Sequence, residues 1–237
     1  MGFVDLHSHV LFGLDDGSPD ETTSVAMLDA LATLGISEQC VTPHQKANQY
    51  LPAWDQVELV YAAVEQARKP GHPTLRLGAE NMWDDVFVKR VAADAIPGYG
   101  GTPAFLVEIP PPLMPPNMIE QLFKLRTKGK VPVLAHPERY QPLWDDDQLA
   151  RSLRTVCAFV IDLPALAGFH GRREAKAARH LVETGLAAAV ATDAHQVGDV
   201  AQAQGGLQWI EKKLGHAGVV RLFDHAPRAI LAGDLPD

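Results

Sequence analysis

Cysteine is scarce in this chain of 237 residues: Cys40 and Cys157 are the only two. Two thiols cannot build a disulfide framework, and their scarcity fits a reducing, cytoplasmic compartment. No apolar run is long enough to span a bilayer, so direct membrane insertion is not expected. The N-terminus lacks a basic stretch followed by an apolar run, and Leu6 stands where a myristoylation signal needs Ser or Thr. No Gly-x-Gly-x-x-Gly segment follows the first candidate strand, which leaves a dinucleotide-binding fold without support. Cationic clustering is missing too. The net charge is −8 and Lys and Arg form no stripe, which argues against nucleic acid as a partner.

What is present is ordinary globular material. A hydrophobic content of 46% with 21% charged residues excludes global disorder and supports a substantial core. With no compositional break marking a linker, the chain reads as one domain over residues 1–237. Apolar, often β-branched runs recur at 3–10, 37–44, 74–81, 104–110, 131–138, 158–166 and 187–195. Amphipathic or alanine-rich segments lie at 19–35, 55–69, 116–129, 146–155, 172–184 and 200–214. Ser18-Pro19-Asp20-Glu21 reads as a helix start, with Ser18 as N-cap and Glu21 completing a capping box. Gly35 and Gly185 read as the glycines that close helices. The Pro-rich stretch 109–118 reads as a strand-end loop, with helical spacing resuming at Met118. Strand–helix alternation of this kind predicts a parallel sheet covered by helices. A closed or nearly closed β/α barrel is the expected form, with its chemistry at the C-terminal ends of the strands.

The polar residues obey that rule. His7, His9, His44, Glu80, Glu108, His136, Asp193 and His195 each sit at or near the end of a predicted strand, and Asp15-Asp16 follows the first. His7 and His9, spaced i and i+2, share one face of a strand, and Asp193 and His195 repeat the pattern. Imidazole and carboxylate without thiolate suit Zn, Mn or Fe. The set exceeds what one tetrahedral zinc requires, so two or three ions are expected. Each residue alone reads as well as a structural core or ion-paired group. Their recurrence at successive strand ends makes them a site. His72, His170, His180, His216 and His225 fall in loops or on helices and read as structural or solvated.

The stretches DLHSHVLFGLDDGSPD, VTPH, GAEN, LVEIP, AHPERY, ATDAH and HAPRAIL follow one another along nearly the whole chain. In them the sequence resembles the polymerase and histidinol phosphatase (PHP) superfamily. Within it, the nearest resemblance is to the manganese-dependent protein tyrosine phosphatases of bacterial capsule and exopolysaccharide operons. The resemblance implies a distorted seven-stranded, TIM-like (β/α)7 barrel holding three metal ions. Carried onto matching positions, one ion takes His7, His9, Glu80 and Asp193. A second takes Glu80 as a bridge with Glu108 and His136, and the third takes Asp16, His44 and His195. Manganese is the implied ion, with iron, zinc or cobalt as alternatives. Arg139, in HPERY, matches the family's phosphate-binding arginine, whose fork suits a phosphoryl group.

The implied activity is hydrolysis of phosphotyrosine by a metal-activated hydroxide, without a covalent enzyme intermediate. Metals roughly 3.5–4 Å apart supply that chemistry. The implied partner is a phosphotyrosine-bearing protein, the tail of a cognate bacterial tyrosine kinase of polysaccharide export. Thiol chemistry is not expected, because the positions six after Cys40 and Cys157 hold Lys46 and Leu163 rather than the arginine of a Cys-x5-Arg loop. The alternatives are a small-molecule phosphomonoesterase, such as one for histidinol phosphate, and a non-catalytic relative. Two departures bear on substrate. The loop QVGDVAQAQGG after Asp193 and His195 lacks the second arginine of many relatives, and Lys46 is the candidate to replace its charge. Val160, Asp162 and Ala165 stand in the sixth strand region, where relatives tend to carry Gln, Asn and Ser.

Overall fold

The computed structural model describes residues 2–110 and 114–236. Its strands are β1 (Phe3–Asp5), β2 (Ile36–Val41), β3 (His44–Gln45), β4 (Thr74–Leu77), β5 (Glu80–Met82), β6 (Ala104–Glu108), β7 (Val131–Ala135), β8 (Ala158–Asp162) and β9 (Ala189–Ala191). Every strand pair is parallel, in two sheets ordered β1-β2-β4 and β3-β5-β6-β7-β8-β9. The expected parallel α/β architecture is present, but the single seven-stranded sheet is divided. The predicted strand 37–44 breaks at Thr42-Pro43 and the strand 74–81 breaks at Gly78-Ala79. Pro43 has no N–H for a ladder bond, which accounts for the first break. Backbone contacts continue past the divided sheets. The Thr42 N–H donates to the Ser8 carbonyl at 2.8 Å, the His9 N–H to Ala194 at 2.9 Å and the Asp193 N–H to His7 at 3.0 Å.

The helices are α1 (Glu21–Thr33), α2 (Trp54–Ala67), α3 (Asp85–Ala92), α4 (Met118–Thr127), α5 (Gln141–Asp145), α6 (Asp147–Arg154), α7 (Leu163–Ala167), α8 (Arg172–Glu183), α9 (Val197–Val220) and α10 (Ala226–Ala232). The six predicted helices correspond to α1, α2, α4, α6, α8 and α9. The start of α1 differs from the sequence expectation. Asp20, not Ser18, is the N-cap and accepts the Thr23 N–H at 2.8 Å. Its backbone is extended, so Pro19 lies outside the helix and the Ser18 hydroxyl donates instead to the Asp20 carbonyl at 2.9 Å. Gly35 and Gly185 do follow the last residues of α1 and α8, with φ of +89° and +74°. Of the Pro-rich stretch 109–118, residues 111–113 lie outside the described residues.

Two apolar clusters occupy opposite faces of the strands. Phe105, Val107, Leu134, Phe159, Ile161 and Val190 face the helices. Leu106, Val133, Val160, Ala104, Ala158, Ala189 and Ala191 form the other face, where Ile230 and Leu231 of α10 join them. The alternation is the two-residue period of a strand buried on both sides.

Asp5 joins the first strand to the last segment of the sheet. It is fully buried, and its Oδ1 accepts the N–H groups of His7 at 3.2 Å and Thr192 at 3.1 Å. Its Oδ2 accepts the Thr192 hydroxyl at 2.6 Å. Burial pushes this carboxyl up to about 6, against the opposing hydrogen bonds from Thr192 and His7. Asp5→Ala would strand two buried backbone donors, each at a cost of roughly 1–3 kcal/mol. Denaturant melts are expected to show that loss, while Asp5→Asn, which keeps an oxygen for the donors, retains most of the stability. An Asp5→Ala protein as stable as the parent contradicts this role.

Candidate metal centre and active site

The strand period that builds the core also delivers the site. Along β6 the face bearing Ala104 and Leu106 next presents Glu108, and along β8 the face of Ala158 and Val160 next presents Asp162. Ala189 and Ala191 of β9 lead in the same way to Asp193. His136 comes at an odd position after β7, where alternation alone would turn it away. Its backbone adopts φ +35°, and Asp193 adopts φ +48°. Non-glycine residues rarely enter this left-handed region, and when they do the site around them holds them there.

Five contacts define a cage. His7 Nε2 and His9 Nε2 are 3.2 Å apart. His7 Nε2 lies 3.3 Å from Glu80 Oε2 and 3.4 Å from Asp193 Oδ1, and His9 Nε2 lies 3.4 and 3.5 Å from the same two oxygens. Tetrahedron edges of this length correspond to a centre about 2.0–2.1 Å from each corner, the bond length of a divalent ion to imidazole and carboxylate. Glu80 turns its other oxygen, Oε1, to His136 Nε2 at 2.9 Å, and Glu108 Oε2 is 4.0 Å from that nitrogen. Asp16 Oδ1 lies 3.5 Å from His44 Nε2 and 3.6 Å from His195 Nε2. Asp16 is 45% exposed and His195 28%, so this third group opens to solvent. The nine predicted ligands meet at one mouth. Donor atoms close enough to share an ion group together as His9, Asp16, His44 and His195, as His7, His9 and Glu80, as His44, Glu80 and Glu108, and as His7, Asp162 and Asp193. His7, His9, His44 and Glu80 are each shared by two groups. His44 also faces inward, with Nδ1 2.8 Å from Glu80 Oε2 and 3.4 Å from Glu108 Oε1.

The donor set fits cations better than it fits itself. Glu80 Oε2 is buried within ion-pair range of three imidazoles, yet it makes no hydrogen bond, and neither does Glu108 Oε1 or His44 Nδ1. Buried polar atoms are normally satisfied, and a shared cation would satisfy these. Burial opposes a charge on His7, but Glu80 and Asp193 outweigh it and raise its pKa. Burial likewise opposes a charge on His9, and Asp15 outweighs it. For His44 the same contest, with Glu80 foremost among the raising groups, ends at about 10. Burial would raise Glu80 and Asp193, but His7 and the neighbouring cationic groups hold both well below the usual carboxylate range. Burial and the His9 charge lower His195.

Three supporting residues escaped the sequence reading. Asp15 accepts from His9 Nδ1 at 2.8 Å and from the His44 N–H at 2.9 Å. A proton on His9 Nδ1 leaves Nε2 free to ligate, the usual arrangement behind a metal-bound imidazole. The Tyr140 hydroxyl does the same for His136, 3.1 Å from its Nδ1, while accepting the Ile109 N–H at 3.1 Å. Gly17 packs so closely on His9 that a Cβ would meet its carbonyl oxygen at 2.2 Å. The Asp-Asp-Gly triplet was the available signal for Asp15 and Gly17, and the tyrosine of HPERY was the signal for Tyr140.

The two predicted phosphate-binding residues fare differently. Arg139 reaches the mouth, where Nη2 donates to Asp162 Oδ2 and Asp193 Oδ2, each at 2.6 Å. Lys46 heads a tight turn beyond His44, its N–H donating to the Tyr50 carbonyl at 2.6 Å, while the Tyr50 ring stacks on His44. Among the described residues its amino group contacts none of the cluster in an ion pair. The expected replacement of a missing arginine charge has no contact to support it.

Cations entering the cluster must displace the protons that the carboxylates hold on the imidazoles. Metal uptake is therefore expected to release protons at neutral pH, and the apparent affinity to climb as pH rises. Without metal the stability sign is the reverse. A raised imidazole contributes fully below 6.5, and its contribution is lost as pH rises through the folded value, about 10 for His44. Calorimetric titration in buffers of different ionisation enthalpy measures the release, and uptake at neutral pH with no proton released contradicts the assignment.

Comparison with known proteins agrees with this geometry. The family model described as capsular polysaccharide synthesis, CpsB/CapC, matches residues 3–232. The tyrosine-protein phosphatase YwqE of Bacillus subtilis is 31% identical over 208 residues, covering 82% of this chain and 78% of its own. The tyrosine-protein phosphatase CpsB of Streptococcus pneumoniae is 24% identical over 241 residues, covering 98% and 99%. A solved structure from work on YwqE and CpsB, described as unique metal-dependent tyrosine phosphatases, superposes with a TM-score of 0.84 at 25% identity, over 98% of this chain and 95% of that one. With the model spanning nearly every residue from the first strand to the last helix, the chain belongs to the CpsB/CapC family of capsular polysaccharide synthesis.

Proposed function

We propose that this chain is a metal-dependent protein tyrosine phosphatase, acting as one catalytic domain on a phosphotyrosine-bearing protein of capsule or exopolysaccharide synthesis. The expected substrate is the tail of a cognate bacterial tyrosine kinase in the cytoplasm, and the resident metals are three ions of manganese. The observation that carries this reading is Glu80 Oε2, buried among His7, His9 and His44 with no hydrogen bond of its own. Relatives named tyrosine-protein phosphatases support the substrate class. The isolated parallel bridge between Ser8 and Ala194 beside the site supports a distorted barrel.

His7, His9, Glu80 and Asp193 would hold one ion, Glu80, Glu108 and His136 a second, and Asp16, His44 and His195 a third. Divalent ions there would acidify bound water and stabilise charge on the phosphoryl oxygens. The protein's own groups do the rest. Asp15 and Tyr140 fix the rings of His9 and His136 with Nε2 toward the ligand side. Arg139 keeps N–H donors beyond the clasped Nη2 for the phosphoryl oxygens. A phenol has a pKa near 10, so phenolate leaves with less help from an acid than an alkoxide needs. Thiol attack has no candidate: Cys40 and Cys157 are fully buried, and burial pushes both thiols up. Among the described residues no helix is long and apolar enough to cross a membrane.

Chelation is expected to abolish hydrolysis of a phosphotyrosyl peptide, and manganese to restore it. His136→Ala is expected to lower kcat/KM by at least about a hundredfold, more than loss of a supporting residue does. Unchanged turnover in that variant contradicts the site. Substrate class is tested separately, by kcat/KM on phosphotyrosyl peptides against alkyl phosphates such as histidinol phosphate. Preference for the alkyl esters would leave the metal centre standing and remove the tyrosine assignment.

A further inference from the structure

Asp162 ends β8 with no solvent exposure, and its Oδ2 accepts from Arg139 Nη2 at 2.6 Å. The same nitrogen donates to Asp193 Oδ2, also at 2.6 Å, so one corner of the guanidinium is clasped between two carboxylates. The two differ in their other duties. Asp193 turns Oδ1 to His7 and His9 within the candidate cage, at 3.4 and 3.5 Å. A cation held there would draw on the charge that Asp193 offers Arg139. Asp162 makes no ion pair with the cage imidazoles: the other charged neighbour of its Oδ2 is His170 Nδ1 at 3.7 Å, its Oδ1 makes no hydrogen bond, and its carboxylate lies within ligand range of His7 and Asp193.

The backbone on both sides of the clasp is fixed as well. Glu138 Oε1 accepts the Asp162 N–H at 2.9 Å, which ties the turn Pro137–Arg139 to the end of β8. Trp144 Nε1 donates to the Glu138 carbonyl at 2.6 Å from the far side. Arg139 remains 34% exposed at its side chain.

We propose that Asp162 is the positioning residue that holds Arg139 ready for the phosphoryl group of the substrate. The inference rests on the reading of Arg139 as the phosphate ligand. A guanidinium is a rigid planar fork, so tying one nitrogen restricts the plane in which the remaining donors lie. A group ordered before substrate arrives loses less freedom on binding. Hydrogen bonds between two charged partners are the stronger kind, so the Asp162 carboxylate holds the guanidinium more firmly than a neutral acceptor would.

The test uses the manganese-loaded protein with inorganic phosphate as probe, measured both by calorimetry and as a competitive inhibitor. Asp162→Ala is expected to weaken phosphate binding roughly tenfold or more and to raise KM for a phosphotyrosyl peptide more than it lowers kcat. Asp162→Asn, which keeps an acceptor and the side-chain volume, is expected to show a smaller loss and guards against misfolding of the alanine variant. In an Arg139→Ala background neither change should weaken phosphate binding further. Losses that multiply with that of Arg139→Ala would overturn the positioning role. Loss of manganese from Asp162→Ala would overturn it too, by making Asp162 a ligand. Full phosphate affinity in both Asp162 variants, with Arg139→Ala weakened, sinks this inference alone. Full affinity in Arg139→Ala sinks the phosphate assignment as well.

Discussion

Glu80 Oε2 lies within 2.8–3.4 Å of nitrogens on His7, His9 and His44, in a place almost closed to water. A carboxylate so placed attracts imidazolium strongly, but several imidazoliums around it repel one another and each has given up hydration. The arrangement is poorly balanced as a purely protein structure. The strands beneath it are closely packed, with Ala104, Ala135, Ala158, Ala189 and Ala191 lying among Leu106, Val133 and Val160 on the face that leads to the mouth. Replacing the displaced protons with divalent cations would convert the repulsion among imidazoles into shared ligation.

The candidate site was legible because two simple periods coincide. A two-residue alternation carries the inner face of β6, β8 and β9 to Glu108, Asp162 and Asp193, and parallel strands place those ends together. Such regularity shows in a string of letters. What holds the ligands does not. Asp15 sits beside a ligand and differs from Asp16 only in which way its side chain turns, and Asp5 is told apart from a ligand only by donors that come from Thr192, far along the chain. The left-handed backbone at His136 and Asp193 has no letter to announce it, since neither is glycine.

The remaining differences concern short-range competition. Ser18 and Asp20 are both good caps, and the choice between them depends on whether the chain at Asp20 is extended, as it is. Helices of five to seven residues such as α5, α7 and α10 are too short to display a 3.6-residue pattern. The division of two strands at Pro43 and at Gly78-Ala79 changes the sheet count without moving any ligand, because His44 and Glu80 remain opposite one another across β3 and β5. The register survives the break, and the register is what the site uses.

Asp193 gives the mouth a further property. One of its oxygens belongs to the imidazole cage and the other to Arg139, so the candidate phosphate ligand and the candidate metal centre share a carboxylate. A cation in the cage would weaken the hold of Asp193 on the guanidinium more than that of Asp162, whose Oδ2 makes no ion pair with the cage imidazoles. Loading the centre would thus shift Arg139 from a fork flanked by two anions toward one balanced by a single anion, lessening the negative charge that an incoming phosphoryl group meets. The acidic chain, at −8 overall, would become locally attractive to an anion where cations and this arginine meet.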